Sequence, residues 1–143
     1  MKNILAVLSS VVLLTLGSGC AVNRATATVE NPAALTGLKT MHVSKLDADG
    51  RGIDALIADK LRTRGYTVTN GTEKPSNVDA MVTYKDKWMW DITMYMLELT
   101  ITIRDPQNDF PLATGNSFHT SLTRKSPTEM VDEVVENIFK QGK

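Results

Sequence analysis

Few side chains in this sequence are equipped for chemistry. His42 and His119 are the only histidines, Cys20 is the only cysteine, and Met94 and Met96 flank Tyr95 in a run that alternates like a strand. Ser117-Phe118-His119 would place a hydroxyl and an imidazole on one face of an extended segment, and Asp91 or Asp109 could complete a hydrolytic triad on paper. No Gly-x-Ser-x-Gly elbow accompanies them, so the sharp turn that exposes a nucleophile is missing. Asp86 and Asp91 form a carboxylate pair of the kind glycoside hydrolysis uses, but an isolated pair has no specificity. Gly50-Arg51-Gly52 lacks the spacing of a phosphate-cradling loop. The chain is therefore expected to catalyse nothing and to carry no cofactor.

Two binding chemistries remain. Met94 and Met96 would lie about 7 Å apart on one strand face, and soft thioethers select Cu(I). His119 on a neighbouring strand could join them, which makes a Cu(I) site at Met94, Met96 and His119 the alternative reading. A row of Trp, Ile and Met is also what any buried sheet face looks like. The favoured reading is a partner surface at Trp88, Trp90, Asp91 and Tyr95. Tryptophan and tyrosine dominate binding hot spots, and Lys85-Asp86-Lys87 supplies a charged rim beside them.

The elements that must position these residues follow from periodicity. Lys39 to Leu46 alternates as a strand, and Asp47-Ala48-Asp49-Gly50 reads as a turn or cap. Ile53, Leu56, Ile57 and Leu61 mark a helix to about Arg64, closed by Gly65 in the left-handed conformation. Short strands follow at Tyr66–Thr69 and Val78–Tyr84. Trp88 to Arg104 reads as one long strand whose apolar face changes sides midway. A bulge near Met94–Leu97, or a first half projecting beyond the sheet, would reconcile the two faces. After a turn at Asp105–Asp109, a fifth strand runs from Pro111 to Thr120. Ser126-Pro127-Thr128-Glu129 is a capping box, and the helix it opens carries a stripe of Val131, Val134, Val135, Ile138 and Phe139. The expected fold is α+β in the order β-α-β-β-β-β-α, with about five strands in a single mixed or antiparallel sheet and two helices on one face.

Composition bounds the rest. The 143 residues make one domain, and 16 Lys+Arg against 16 Asp+Glu argue against a nucleic-acid partner. Lys2 precedes an almost unbroken apolar run from Ile4 to Leu16, the pattern of a secretory leader. That run is shorter than the roughly 20 residues a transmembrane helix needs. It ends in Leu16-Gly17-Ser18-Gly19-Cys20, which resembles the lipobox of bacterial lipoproteins. The resemblance implies cleavage before Cys20, acylation of that residue, and a membrane partner held through its lipid. Ala21 rather than Asp after the cysteine implies sorting to the outer membrane, facing the periplasm. On this reading residues 1–19 are the signal peptide, 20–36 the lipidated cysteine with a flexible tether, and 37–143 the periplasmic domain.

Within that domain, Asp79-Ala80-Met81-Val82-Thr83-Tyr84, then Trp88-Met89-Trp90-Asp91, then a strand ending in Asp105-Pro106 are similar to runs in small Gram-negative lipoproteins. The element order also resembles small periplasmic modules of envelope lipoproteins that assist secretion, efflux or cell-wall assembly. The resemblance implies a non-catalytic adaptor that binds an envelope protein or a cell-wall component.

Overall fold

The computed structural model describes residues 22–143, so the expected leader and Cys20 lie outside the described residues. The described elements are strand β1 (Asn23–Val29), short helix α1 (Pro32–Thr36), β2 (Thr40–Ser44), helix α2 (Ile53–Thr63) and β3 (Thr67–Gly71). They continue with β4 (Ala80–Asp91), β5 (Thr93–Arg104), β6 (Pro111–His119), a 3-10 turn (Ser121–Thr123) and helix α3 (Pro127–Gln141). The strands form one sheet in the order β1-β6-β5-β4-β2-β3. β2 is parallel to both β3 and β4, and every other pairing is antiparallel.

The α+β class is as expected, with six strands instead of five. The additional strand is β1, and together with α1 it occupies most of the segment expected as a flexible tether over 20–36. Small and polar residues (Asn23-Arg24-Ala25-Thr26-Ala27-Thr28) hide it from a search for apolar alternation. Its stability comes from a ladder with β6 running from Asn23↔His119 to Val29↔Ala113.

The second difference is the hairpin. The long strand expected over Trp88–Arg104 is divided: β4 runs unbroken through Lys85-Asp86-Lys87, and the chain reverses at Ile92, between the paired Asp91 and Thr93. Ile92 has φ +61°, in the left-handed region where a β-branched side chain is strained. The expected change of face has a local cause. Lys87 pairs with Glu98 and Trp88 with Met96, leaving Leu97 as the extra residue of a bulge. The pleat switches there, so Met96 is buried together with Leu99, Ile101 and Ile103.

α2 and α3 cover the sheet and build the core. Ile53, Ile57 and Leu61 of α2 and Val131, Val134, Val135 and Ile138 of α3 are fully buried with Met41, Val43, Val82 and Leu99. α3 has the expected capping box between Ser126 and Glu129, with Pro127 in its first turn. α2 begins at Gly52, which offers no side-chain cap, and Asp49 from the preceding turn does the work instead. Its carboxylate accepts from the backbone N–H of Arg51, Gly52 and Asp54 and from the Tyr84 hydroxyl at 2.6 Å. α3 approaches β6 at Gly115, where an added Cβ would sit 2.8 Å from Val134 Cγ1 and 2.9 Å from Ile138 Cγ1. Lys60 of α2 reaches Asp132 at 3.2 Å and Glu136 at 2.9 Å, joining the two helices.

Candidate functional site

Both histidines belong to the structure's internal bonding. His42 is buried, with Nδ1 2.8 Å from the Thr69 hydroxyl and Nε2 3.2 Å from the Gly71 carbonyl. A carbonyl only accepts, so Nε2 donates to Gly71, while Nδ1 shares a hydrogen bond with the threonine hydroxyl. The ring borders a depression lined by residues 69–75 and offers it no free nitrogen.

His119 and Ser117 do face one way, as their spacing implied, but what they meet is Glu133 of α3. Ser117 Oγ donates to Glu133 Oε2 at 2.6 Å, His119 Nε2 lies 2.8 Å from the same oxygen, and Lys125 Nζ lies 2.6 Å from Oε1. Burial alone would push the Glu133 carboxyl up. The lysine, the serine hydroxyl and the imidazole outweigh it and hold the group down at about 2. Hydroxyl and imidazole converge on one carboxylate oxygen, so the histidine does not stand as a base beside the serine. Glu133 was not legible as a site residue, because it reads as a polar position bordering the stripe of Val131 and Val134.

The Met94, Met96 and His119 set is not presented as a unit. Met94 is half exposed, Met96 is 1% exposed in the core, and His119 Nε2 is taken by Glu133. Among the described residues no group of three or more His, Cys, Asp or Glu side chains is arranged to hold a metal ion.

The aromatic set separates into supports and one exposed member. Trp88 is half-buried: its indole N–H donates to Asp86 Oδ2 at 2.6 Å, and the Arg51 guanidinium lies 4.1 Å from its ring centroid. Tyr95 is buried beneath Arg124, whose guanidinium lies 4.7 Å from the ring centroid. Arg124 also donates to Thr93 Oγ1 at 2.8 Å and to the Asp91 carbonyl at 3.4 Å, with the Asp91 carboxylate 3.8 Å away. Asp91 and Tyr95 thus help fix the hairpin to the segment after β6. Trp90 points outward at 69% exposure beside its cross-strand partner Met94, with Ile92 exposed at the turn and Met89 exposed on the opposite face. The structure therefore centres the apolar surface on Trp90 and the turn, whereas Trp88 and Tyr95 brace it from within.

Comparison with known proteins adds fold information. No family model and no curated protein matches this chain. Solved structures do match. A PelC dodecamer from Paraburkholderia phytofirmans is similar in two crystal forms, at 17% and 13% identity and TM-scores of 0.61 and 0.57. Each match covers 82% of this chain, and 97% and 98% of the respective PelC chains. A PDZ domain protein from Parabacteroides distasonis is 13% identical with a TM-score of 0.52, covering 85% of this chain and 36% of its own. At such identities the likeness is one of fold. No helix among the described residues is long and apolar enough to cross a membrane.

Proposed function

We propose that this chain is a lipid-anchored module of the bacterial cell envelope, held by acyl groups on Cys20 and facing the periplasm from the outer membrane. Its folded domain binds an envelope component and does no chemistry on it. The observation that carries this reading is the projecting hairpin. A tryptophan, an isoleucine and two methionines stand in solvent at its end, while Arg124, Asp86 and Arg51 hold the aromatic residues beneath them in place. Ile92 adds to the case, because backbone strain at an exposed position contributes nothing to the fold and collects at contact sites.

The test is a pull-down from detergent-solubilised envelope with the acylated chain, its Trp90→Ala variant and its Cys20→Ala variant. The reading expects mass spectrometry to find diacylglycerol on Cys20 and the Cys20→Ala chain to leave the membrane fraction. It expects Trp90→Ala to keep its fold by circular dichroism and lose co-purifying protein or phospholipid. A Cys20→Ala chain that remains membrane-bound, or a Trp90→Ala chain with unchanged associations, overturns the corresponding half. Because PelC of the same fold is a dodecamer, native mass spectrometry of the same preparation separates contacts between copies from contacts with other molecules.

A further inference from the structure

The start of the described chain and the apolar hairpin lie at the same end of the sheet. β1 enters at Asn23 opposite His119, and the pair Phe118–Glu98 is the last row in which β6 supports β5. Beyond that row β5 and β4 continue alone to Ile92, five residues of β5 (Thr93–Leu97) or about 17 Å at ordinary strand rise. Val22 is fastened at this end: its carbonyl accepts from Thr120 N–H at 3.2 Å and from Thr123 Oγ1 at 3.1 Å. The next residue, Arg124, is the one that grips Thr93 and Asp91 of the hairpin. Two adjacent side chains therefore tie the chain's entry point to the hairpin's end.

Cys20 precedes Val22 by two residues, which span at most about 7 Å. Of the eight large apolar side chains exposed among the described residues, six are at this end: Val22, Met89, Trp90, Ile92, Met94 and Leu122. Ile92 is 87% exposed and Leu122 75%. The one acidic side chain at the turn, Asp91, faces Arg124. The turn itself is thus apolar, its one acidic side chain balanced by Arg124, with an indole among its outermost groups. Indoles favour the boundary between headgroups and acyl chains, and apolar faces of this kind settle about 5–10 Å into it.

We propose that this end, formed by the β4–β5 hairpin and Leu122, inserts into the leaflet that holds the Cys20 acyl chains. The inference rests on the anchored reading of Cys20 given above. The occupant of the tip is phospholipid, because a tether of two residues leaves no room for the domain to stand off the bilayer with a protein between. Insertion works through apolar burial and not through headgroup charge, so it is insensitive to salt.

The full acylated chain, reconstituted into phosphatidylethanolamine–phosphatidylglycerol vesicles with acyl chains brominated near the headgroup, tests this. Trp90 emission should fall about twofold or more at that depth, while the Trp90→Phe chain, reporting Trp88 alone, is quenched much less. Ile92→Asp should remove most of the quenching in wild-type background with the fold unchanged by circular dichroism and the protein still floating with vesicles. Raising salt should leave quenching unaltered. Acylated, vesicle-bound protein whose Trp90 is not quenched overturns the insertion and leaves the anchor standing. So does a photo-crosslinker at position 90 that captures a second copy or another protein instead of lipid. A chain without acyl groups on Cys20 overturns the anchored reading and the insertion with it.

Discussion

Glu133 shows how an apparent reactive group becomes a structural one. Its carboxylate receives a lysine, a hydroxyl and an imidazole, and its proton affinity falls from 4.5 to about 2 in the fold. A depressed carboxyl stabilises the folded state above its unfolded value and loses that contribution as pH drops through the folded one. The group should therefore contribute fully above about pH 4.5 and little near pH 2. Glu133→Gln should cost about 2–3 kcal/mol in urea unfolding at pH 7, and much less at pH 2, where the wild-type carboxyl is already about half protonated. Ile92 carries the opposite expectation. Gly at that left-handed position removes the Cβ clash, so Ile92→Gly should raise stability by about 1 kcal/mol in thermal unfolding while weakening whatever the hairpin contacts. At this scale the sequence was half readable. Ser117 and His119 were correctly placed on one face, but their partner lay on a distant helix with no local signal. Trp88 and Trp90 were expected together on one surface, and the structure exposes Trp90 while Arg51, which no local spacing relates to the hairpin, covers Trp88.

Among elements, legibility tracked how strongly local chemistry and packing agreed. α3 was fully specified by its capping box, proline and stripe, and α2 by its apolar spacing and Gly65. β4 was cut short because Lys85-Asp86-Lys87 interrupts the apolar alternation and reads as a charged rim, although Lys87 merely pairs with Glu98 at 2.9 Å across the ladder on an open face. The bulge was anticipated from the change of face, and the structure places its extra residue at Leu97. β1 had too little apolar content to be seen at all. The seam between α3 and β6 gives a sharp expectation: Gly115→Ala forces a methyl against Val134 and Ile138, and should destabilise by about 1–3 kcal/mol in chemical unfolding. The cost should shrink when Ile138→Val is added, since the second change frees volume at the point of collision.

At the scale of the molecule, acid should loosen several joints together. Asp49, like Glu133, is held at about 2, in its case because the Tyr84 hydroxyl and three backbone N–H groups outweigh the effect of burial. Stability measured by thermal unfolding should be flat from neutral pH to about 4.5, then fall steeply toward pH 2. The α+β class and the helices' shared face were legible from periodicity. The polarity of the whole was not, because it depends on β1 and on where Val22 is fastened. That strand has a mechanical consequence. All seven residues of β1 are laddered to β6 along a line that starts at Asn23, three residues after Cys20. A pull on the chain N-terminal to β1, directed along the strands, loads every rung at once, in shear. With the proposed acyl chains on Cys20, β1 would then resist force as a parallel set of bonds and give way abruptly, instead of opening rung by rung like a zip.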